Sequence, residues 1–189
     1  MSHEIKNDLY KDNTAMNVSS VAGISQYLSF HLGEELFAIE VSRVREILEL
    51  IRITSVPGAP EYLKGIINVR GSVVPVINLH CKLGLPESER GIHSRIIVTE
   101  LPLGDENIVL GIIADSVNEV VDLREEDIDA PPRIGNKYHA LTKGIAHRDN
   151  NFIIILDIEN IFSNNRVKTD QGIPSGIDED ITEMESAVV

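Results

Sequence analysis

Apolar positions in this chain recur in short runs broken by turn residues, and rarely at helical spacing. Runs rich in valine and isoleucine predict strands near residues 25–32, 35–40, 47–54, 65–70, 73–79, 94–101, 107–114, 117–123, 143–148 and 152–157. Short helical turns are expected at Val41–Glu46, Pro60–Leu63, Leu79–Leu83 and Ile158–Ser163. None of these is long enough to cross over between parallel strands, so the spacing predicts an all-β barrel or sandwich rather than a doubly wound sheet.

The same pattern repeats within the chain. Lys64-Gly65-Ile66 through Leu79 aligns without gaps onto Lys143-Gly144-Ile145 through Ile158, and the turn Arg70-Gly71 falls on Asp149-Asn150. Upstream, Leu32-Gly33-Glu34-Glu35 recurs as Leu103-Gly104-Asp105-Glu106, and Val44-Arg45-Glu46-Ile47 matches Val117-Asn118-Glu119-Val120 after a two-residue slip. Several signals in the same order mark an internal duplication. Each half reads as strand, hairpin turn, strand, helical turn, strand and closing hairpin. The closing hairpins are apolar on both faces, since Val73, Pro75 and Ile77 alternate with Val74 and Val76. That pattern suits strands buried on both sides, so the halves are expected to share a core near these hairpins. Pro75 limits how central its strand can be.

Residues 1–24 lack a sustained apolar period and read as a flexible lead-in to a domain at 25–163, with halves of about 25–90 and 91–163. Residues 164–189, with Asp178, Glu179 and Asp180, read as an acidic, disordered tail. The net charge of −13 repels phosphate backbones, and without tryptophan the chain has few platforms for stacked bases. Nucleic acid and anionic lipid are thereby disfavoured, and a protein partner with basic surface is favoured. The single cysteine, Cys81, rules out an internal disulfide and suits a reducing compartment. No run approaches the roughly 20 apolar residues that span a bilayer, and Met1–Tyr10 is too polar for a secretory signal, so the chain reads as cytoplasmic.

Candidate chemistry is sparse. The six histidines lack metal-ligand spacing, no phosphate-cradling glycine loop occurs, and no nucleophile, base and acid stand in a recognisable arrangement. No cofactor, metal or catalytic residue is therefore expected. At Asn68-Val69-Arg70-Gly71, Gly71 supplies the turn conformation and Asn68 bonds locally, leaving Arg70 either a solvated tip or a binding element. Val44, Glu46 and Ile47 stand at a corner between elements, and Val117 to Val120 repeats that corner in the second half.

At these residues the sequence resembles the CheW family, the coupling proteins of bacterial chemotaxis. The resemblance runs through Phe37-Ala38-Ile39-Glu40, Val44-Arg45-Glu46-Ile47 and the stretch from Val56-Pro57-Gly58 to Asn68-Val69-Arg70-Gly71. It continues through Val74-Pro75-Val76-Ile77-Asn78-Leu79, Gly111 to Val117 and Ile154-Ile155-Leu156-Asp157, covering about residues 25–163. Val69 stands where the family often has leucine, and Asn78 where it often has aspartate. The resemblance implies two intertwined five-stranded SH3- or OB-like β-barrel halves with short helices. It implies a non-catalytic adaptor that joins the cytoplasmic tip of methyl-accepting chemoreceptors to the regulatory domain of the histidine kinase CheA. Val44, Glu46, Ile47, Asn68, Arg70, Gly71, Val117 and Val120 would carry or border the partner contacts. A scaffold of a related pathway, such as pilus motility, is the near alternative. An OB-like nucleic-acid binder is the distant one.

Overall fold

The computed structural model describes residues 23–103, 106–131, 141–148 and 151–163. In order these form β1 (Ile24–Leu32), β2 (Glu35–Glu40), a 3₁₀ turn (Val41–Arg43), β3 (Val44–Glu49), β4 (Leu63–Val69), β5 (Ser72–Asn78) and α1 (Leu79–Leu83). There follow β6 (Arg95–Leu103), β7 (Glu106–Ala114), β8 (Ser116–Arg124), a 3₁₀ turn (Glu125–Asp127), β9 (Ile128–Asp129), β10 (Thr142–Arg148), β11 (Asn151–Leu156) and α2 (Ile158–Ser163). No helix among the described residues is long and apolar enough to cross a membrane.

The strands make two sheets, ordered β8-β1-β2-β11-β10-β9 and β3-β6-β7-β5-β4. The duplication pairs β1 to β5 with β6, β7, β8, β10 and β11. Exchanging each strand for its repeat partner converts β8-β1-β2-β11-β10 into β3-β6-β7-β5-β4. Each sheet is thus the image of the other, and each takes strands from both halves of the chain. This is the intertwined arrangement that the family resemblance implies. Of the four seams where the halves meet, β2 with β11 and β5 with β7 are parallel, and β1 with β8 and β3 with β6 are antiparallel. The sixth strand, β9, also has an image: its Asp129 pairs with Ile145, and the isolated bridge of Thr54 pairs with Ile66, the repeat equivalent of Ile145.

Three apolar clusters follow from this topology. Tyr27, Ala38, Val121, Leu123, Ala146, Ile153 and Ile155 fill one side of the first sheet. Ile67, Val74, Val76, Ile96, Val98 and Ile113 fill that of the second. The largest cluster, with Phe30, Ile39, Ile77, Leu79, Ile97, Ile112 and Leu156, joins the two sheets. The closing hairpins are apolar on both faces because Val74 and Val76 line one core while Ile77 lines the shared one. β5 is nevertheless an interior strand despite its proline. Pro75 stands one residue before the stretch Val76–Asn78 that pairs with β7, so its missing N–H falls outside that ladder.

Two expectations need correction. The helical turn stops at Arg43, and Val44-Arg45-Glu46 belongs to β3, which ends at Glu49 rather than near residue 54. β3 ends there because its partner begins there, with Glu49 opposite Arg95, the first residue of β6. Pro60–Leu63 is a hydrogen-bonded turn, Leu63 N–H to Pro60 carbonyl at 2.9 Å, that opens directly into β4. The two-residue β9 carries too short a pattern to be read from sequence. The hairpin tip Asp149-Asn150 and the 164–189 tail lie outside the described residues.

The identical Lys-Gly-Ile triplets have a common cause. Both lysines sit at a β-bulge, where the register slips between Leu63 and Gly65 and between Thr142 and Gly144. At Gly65, with φ of +138°, a Cβ would lie 2.1 Å from the Thr54 carbonyl oxygen. At Gly144 it would lie 2.2 Å from Ile128 Cγ2 and 3.0 Å from the Asp129 carbonyl oxygen. In each half the glycine lets an outer segment pack against the bulged strand. The bulged lysines then reach carboxylates: Lys64 Nζ is 2.8 Å from Glu87 Oε1, and Lys143 pairs with Glu40.

The hydrogen bond from Lys143 holds the Glu40 carboxyl below its ordinary pKa, with burial opposing; the same bond raises the Lys143 ammonium. A depressed carboxylate adds stability above its unfolded pKa, and the contribution is lost as pH falls through the folded value. Glu40→Gln is therefore expected to be less stable than wild type near neutrality, with the gap closing in acid. Urea denaturation at steps between about pH 3 and pH 7 checks this, and a gap that is constant across the range would refute it.

Candidate partner-binding site

The β4–β5 hairpin closes with Arg70 at φ 52° and Gly71 at φ 90°. Two successive left-handed residues between Val69 and Ser72, which face each other in the ladder, form the tight turn whose twist suits a hairpin. Asn68 holds it, its Oδ1 accepting the Gly71 N–H at 2.9 Å. From this tip the Arg70 Nη2 donates to Glu46 Oε2 at 3.2 Å, across two strands that are not hydrogen-bonded neighbours. The arginine side chain is 83% exposed and the glutamate 26%.

Glu46 is aimed by a second bulge. Val44 pairs with Thr99 and Glu46 with Val98, so Arg45 is the extra residue, and it meets Glu100 at 2.9 Å. Cross-strand partners share a face. Val44 and Ile47 therefore lie on the face of Thr99 and Ile97, toward the shared core, while Glu46 lies on the opposite face with Val98. Val44 packs against the shared core, whereas Ile47 stays 43% exposed.

The repeat positions behave alike on β8. Val117 faces Phe30 and packs against the shared core; Val120 faces Leu28 and is 48% exposed. A bulge between them sets Asn118 and Glu119 against Ser29, whose hydroxyl accepts the Glu119 N–H at 3.2 Å and donates to its carbonyl at 2.8 Å. β3 and β8 are the terminal strands of their sheets. The eight predicted residues thus fall into two groups. Val44, Glu46, Ile47, Asn68, Arg70 and Gly71 lie on the second sheet, with Glu46 and Arg70 in contact; Val117 and Val120 lie on the edge of the first. Val73, 46% exposed, and Phe152, 66% exposed, were not among them. They are repeat equivalents at the start of each closing hairpin, where the two-faced apolar pattern outruns the core, and Phe152 lies 5.2 Å from the His147 ring. That overrun was the available signal.

A polar network elsewhere joins the sheets. Asn78 Oδ1 accepts the His80 N–H at 3.1 Å, capping α1, and Asn78 Nδ2 donates to Glu87 at 3.2 Å. Asp115, where the chain leaves the second sheet for the first, accepts the Gly33 N–H at 2.6 Å and the Ser88 hydroxyl. The buried His80 Nε2 lies 3.2 Å from Asp115 Oδ2 but out of hydrogen-bonding alignment. Among the described residues no three metal-ligating side chains converge. Burial lowers the Lys82 pKa; its ammonium lies 3.9 Å from the Tyr62 ring centroid and 5.4 Å from that of Phe162, tying α1 to α2.

A duplicated two-sheet domain that exposes Ile47 and Val120 on its terminal strands and Val73 and Phe152 beside its hairpin tips offers surface to another protein. Residues 26–166 match the family described as CheW-like domain. The chain is 33% identical over 147 residues to the chemotaxis protein CheW of Treponema pallidum, covering 76% of this chain and 85% of that protein. It is 33% identical over 129 residues to CheW of Bacillus subtilis, covering 68% and 80%. Among solved structures it is similar to the scaffolding protein TtCheW of Thermoanaerobacter tengcongensis, with a TM-score of 0.67, 36% identity, and coverage of 73% of this chain and 87% of that one. The chain belongs to the CheW-like family, and its role is that of a chemotaxis coupling adaptor.

Proposed function

We propose that the chain joins the cytoplasmic tip of methyl-accepting chemoreceptors to the regulatory domain of the histidine kinase CheA, without catalysis of its own. It would work in the cytoplasm, held at membrane receptor arrays only through these partners. The observation that carries the reading is Arg70 at φ 52°. A non-glycine residue there costs on the order of 1 kcal/mol, and asparagine or glycine would suit the turn better. The arginine gains only an exposed ion pair with Glu46, worth at most about 1 kcal/mol, so turn chemistry alone does not account for it. A strained, exposed, charged tip, on a domain that also leaves the apolar Ile47 and Val73 exposed, is what a contact surface for another protein requires.

The two terminal strands, on different sheets, give the domain two separate edges for two partners. Each contact is expected to be modest, on the order of micromolar, and to gain strength when many copies act together. Titration of the purified chain against a receptor signalling fragment, and separately against the CheA regulatory domain, tests this. Saturable binding to both supports the adaptor reading; binding to neither at tens of micromolar rejects it.

A further inference from the structure

Gly91-Ile92-His93-Ser94 forms the turn that enters β6. Its closure is fixed from several sides. The Ser94 N–H donates to the Gly91 carbonyl at 3.1 Å, and the hydroxyl of Ser94, itself buried, accepts the Gly91 N–H at 2.9 Å. Arg95 Nη1 donates to the Ile92 carbonyl at 2.8 Å and to the Ser94 carbonyl at 2.9 Å. The chain leading in is pinned as well: the Leu85 N–H donates to the His80 carbonyl at 2.8 Å, Glu87 meets Lys64, and Ser88 bonds to Asp115. On this fixed turn Ile92 is 86% exposed. One exposed apolar side chain is ordinary in itself, but this one is held in place, so binding it costs little further ordering.

Its surroundings are cationic. Glu49, the last residue of β3, pairs with Arg95, the first of β6, so the chain beyond Glu49 and the turn before Arg95 leave the same end of that ladder. Beyond Glu49 come the exposed Ile51 and Arg52, and before Ile92 comes the exposed Arg90. Arg43, Arg45, Arg70 and Arg124 each meet a carboxylate. Among the described residues Arg52 and Arg90 stand within ion-pair distance of none, and Arg95 is turned to carbonyl oxygens. The carboxylates in the stretches 49–52 and 87–95 are Glu49, Glu87 and Glu89, and Glu87 is held by Lys64. Arg52, Arg90 and Arg95 therefore outweigh Glu49 and Glu89 on a chain whose net charge is −13.

We infer that this end of the β3–β6 pair is a docking surface for a partner segment with an apolar pocket for Ile92, rimmed by carboxylates that meet Arg52 and Arg90. The inference deepens the adaptor reading and rests on it. The acidic remainder of the chain repels such a segment, so the patch also fixes where on the domain it docks.

The test titrates the full chain, as wild type, Ile92→Ser and Arg90→Glu, against the receptor fragment and the kinase regulatory domain. Both side chains are exposed, so thermal denaturation should show the variants folded like wild type. For one of the two partners Ile92→Ser should weaken binding about tenfold, as removal of an apolar anchor does. Arg90→Glu should weaken the same contact several-fold, with its difference from wild type shrinking as salt is raised. Loss confined to Ile92→Ser would overturn the carboxylate rim. Wild-type affinity of both variants for both partners would overturn the whole inference while leaving the adaptor reading standing. Tighter partner binding by Ile92→Ser would overturn it too, since the occupant would then be a competing segment of this chain, such as the acidic stretch 164–189. Failure of the wild-type chain itself to bind either partner would instead overturn the adaptor reading.

Discussion

Arg70→Asn is expected to abolish receptor-dependent kinase stimulation while leaving the melting temperature unchanged or slightly raised. Asparagine tolerates the left-handed conformation that Arg70 holds at φ 52°, so the hairpin loses no local stability. What disappears is the guanidinium, 83% exposed and bonded to Glu46 across the sheet. Loss of an exposed ion pair changes stability by a few tenths of a kcal/mol, so the effect on folding is small beside the effect on coupling. Thermal denaturation and a coupled phosphorylation assay on the same preparation separate the two. If Arg70→Asn melts several degrees lower and couples in proportion to its folded fraction, Arg70 is a turn residue and nothing more. Glu46→Gln should weaken coupling in the same assay but less severely, because the arginine remains and only its orientation is released.

Gly65→Ala is expected to be the most damaging small substitution in the domain. The new methyl group would stand 2.1 Å from the Thr54 carbonyl oxygen and 2.7 Å from its carbon, at a backbone φ of +138° that alanine rarely adopts. The clash is with backbone, so relief requires breaking the Thr54–Ile66 bridge, whose two hydrogen bonds measure 2.9 and 2.8 Å. A cost of about 3 kcal/mol or more follows, equivalent to roughly 6–12 °C in melting temperature for a chain of this size. Gly144→Ala should cost less, about 1–2 kcal/mol, because no left-handed φ adds strain there and its nearest obstacle is a methyl group of Ile128 rather than backbone. Gly33→Ala, with φ +63° and open space around it, should cost only about 1 kcal/mol. Chemical denaturation of the three variants ranks them, and a Gly65→Ala chain as stable as Gly33→Ala would show that the outer segment packs elsewhere.

The glycine series also marks what the sequence made legible. The identical triplets at Lys64 and Lys143 announced a repeated structural demand, and alternation within the runs located most strands. The demand itself, a bulge with a crossing segment above it, is tertiary and could not be read from either triplet alone. The boundary of β3 was misplaced for a similar reason. Leu48, Leu50 and Ile53 continue the apolar pattern because they pack against the second-sheet core, but the strand stops where its partner β6 begins. Apolar periodicity reports burial, and only the partner strand decides pairing. In the candidate site, Arg70 and Glu46 stood out individually, yet their contact depends on a bulge at Arg45 that no spacing rule anticipates. Val73 and Phe152 went unread because apolar residues in a two-faced strand look buried, whereas these two lie beyond the end of the core.

Reconstitution of receptor fragment, CheA and ATP, with and without this chain, tests the central claim most directly. Kinase activity should rise several-fold when the chain is added at micromolar concentration, only in the presence of receptor, and the rise should vanish with Arg70→Asn. Receptor-stimulated activity that is the same with and without the folded chain, under conditions where CheA itself is active, would contradict the account.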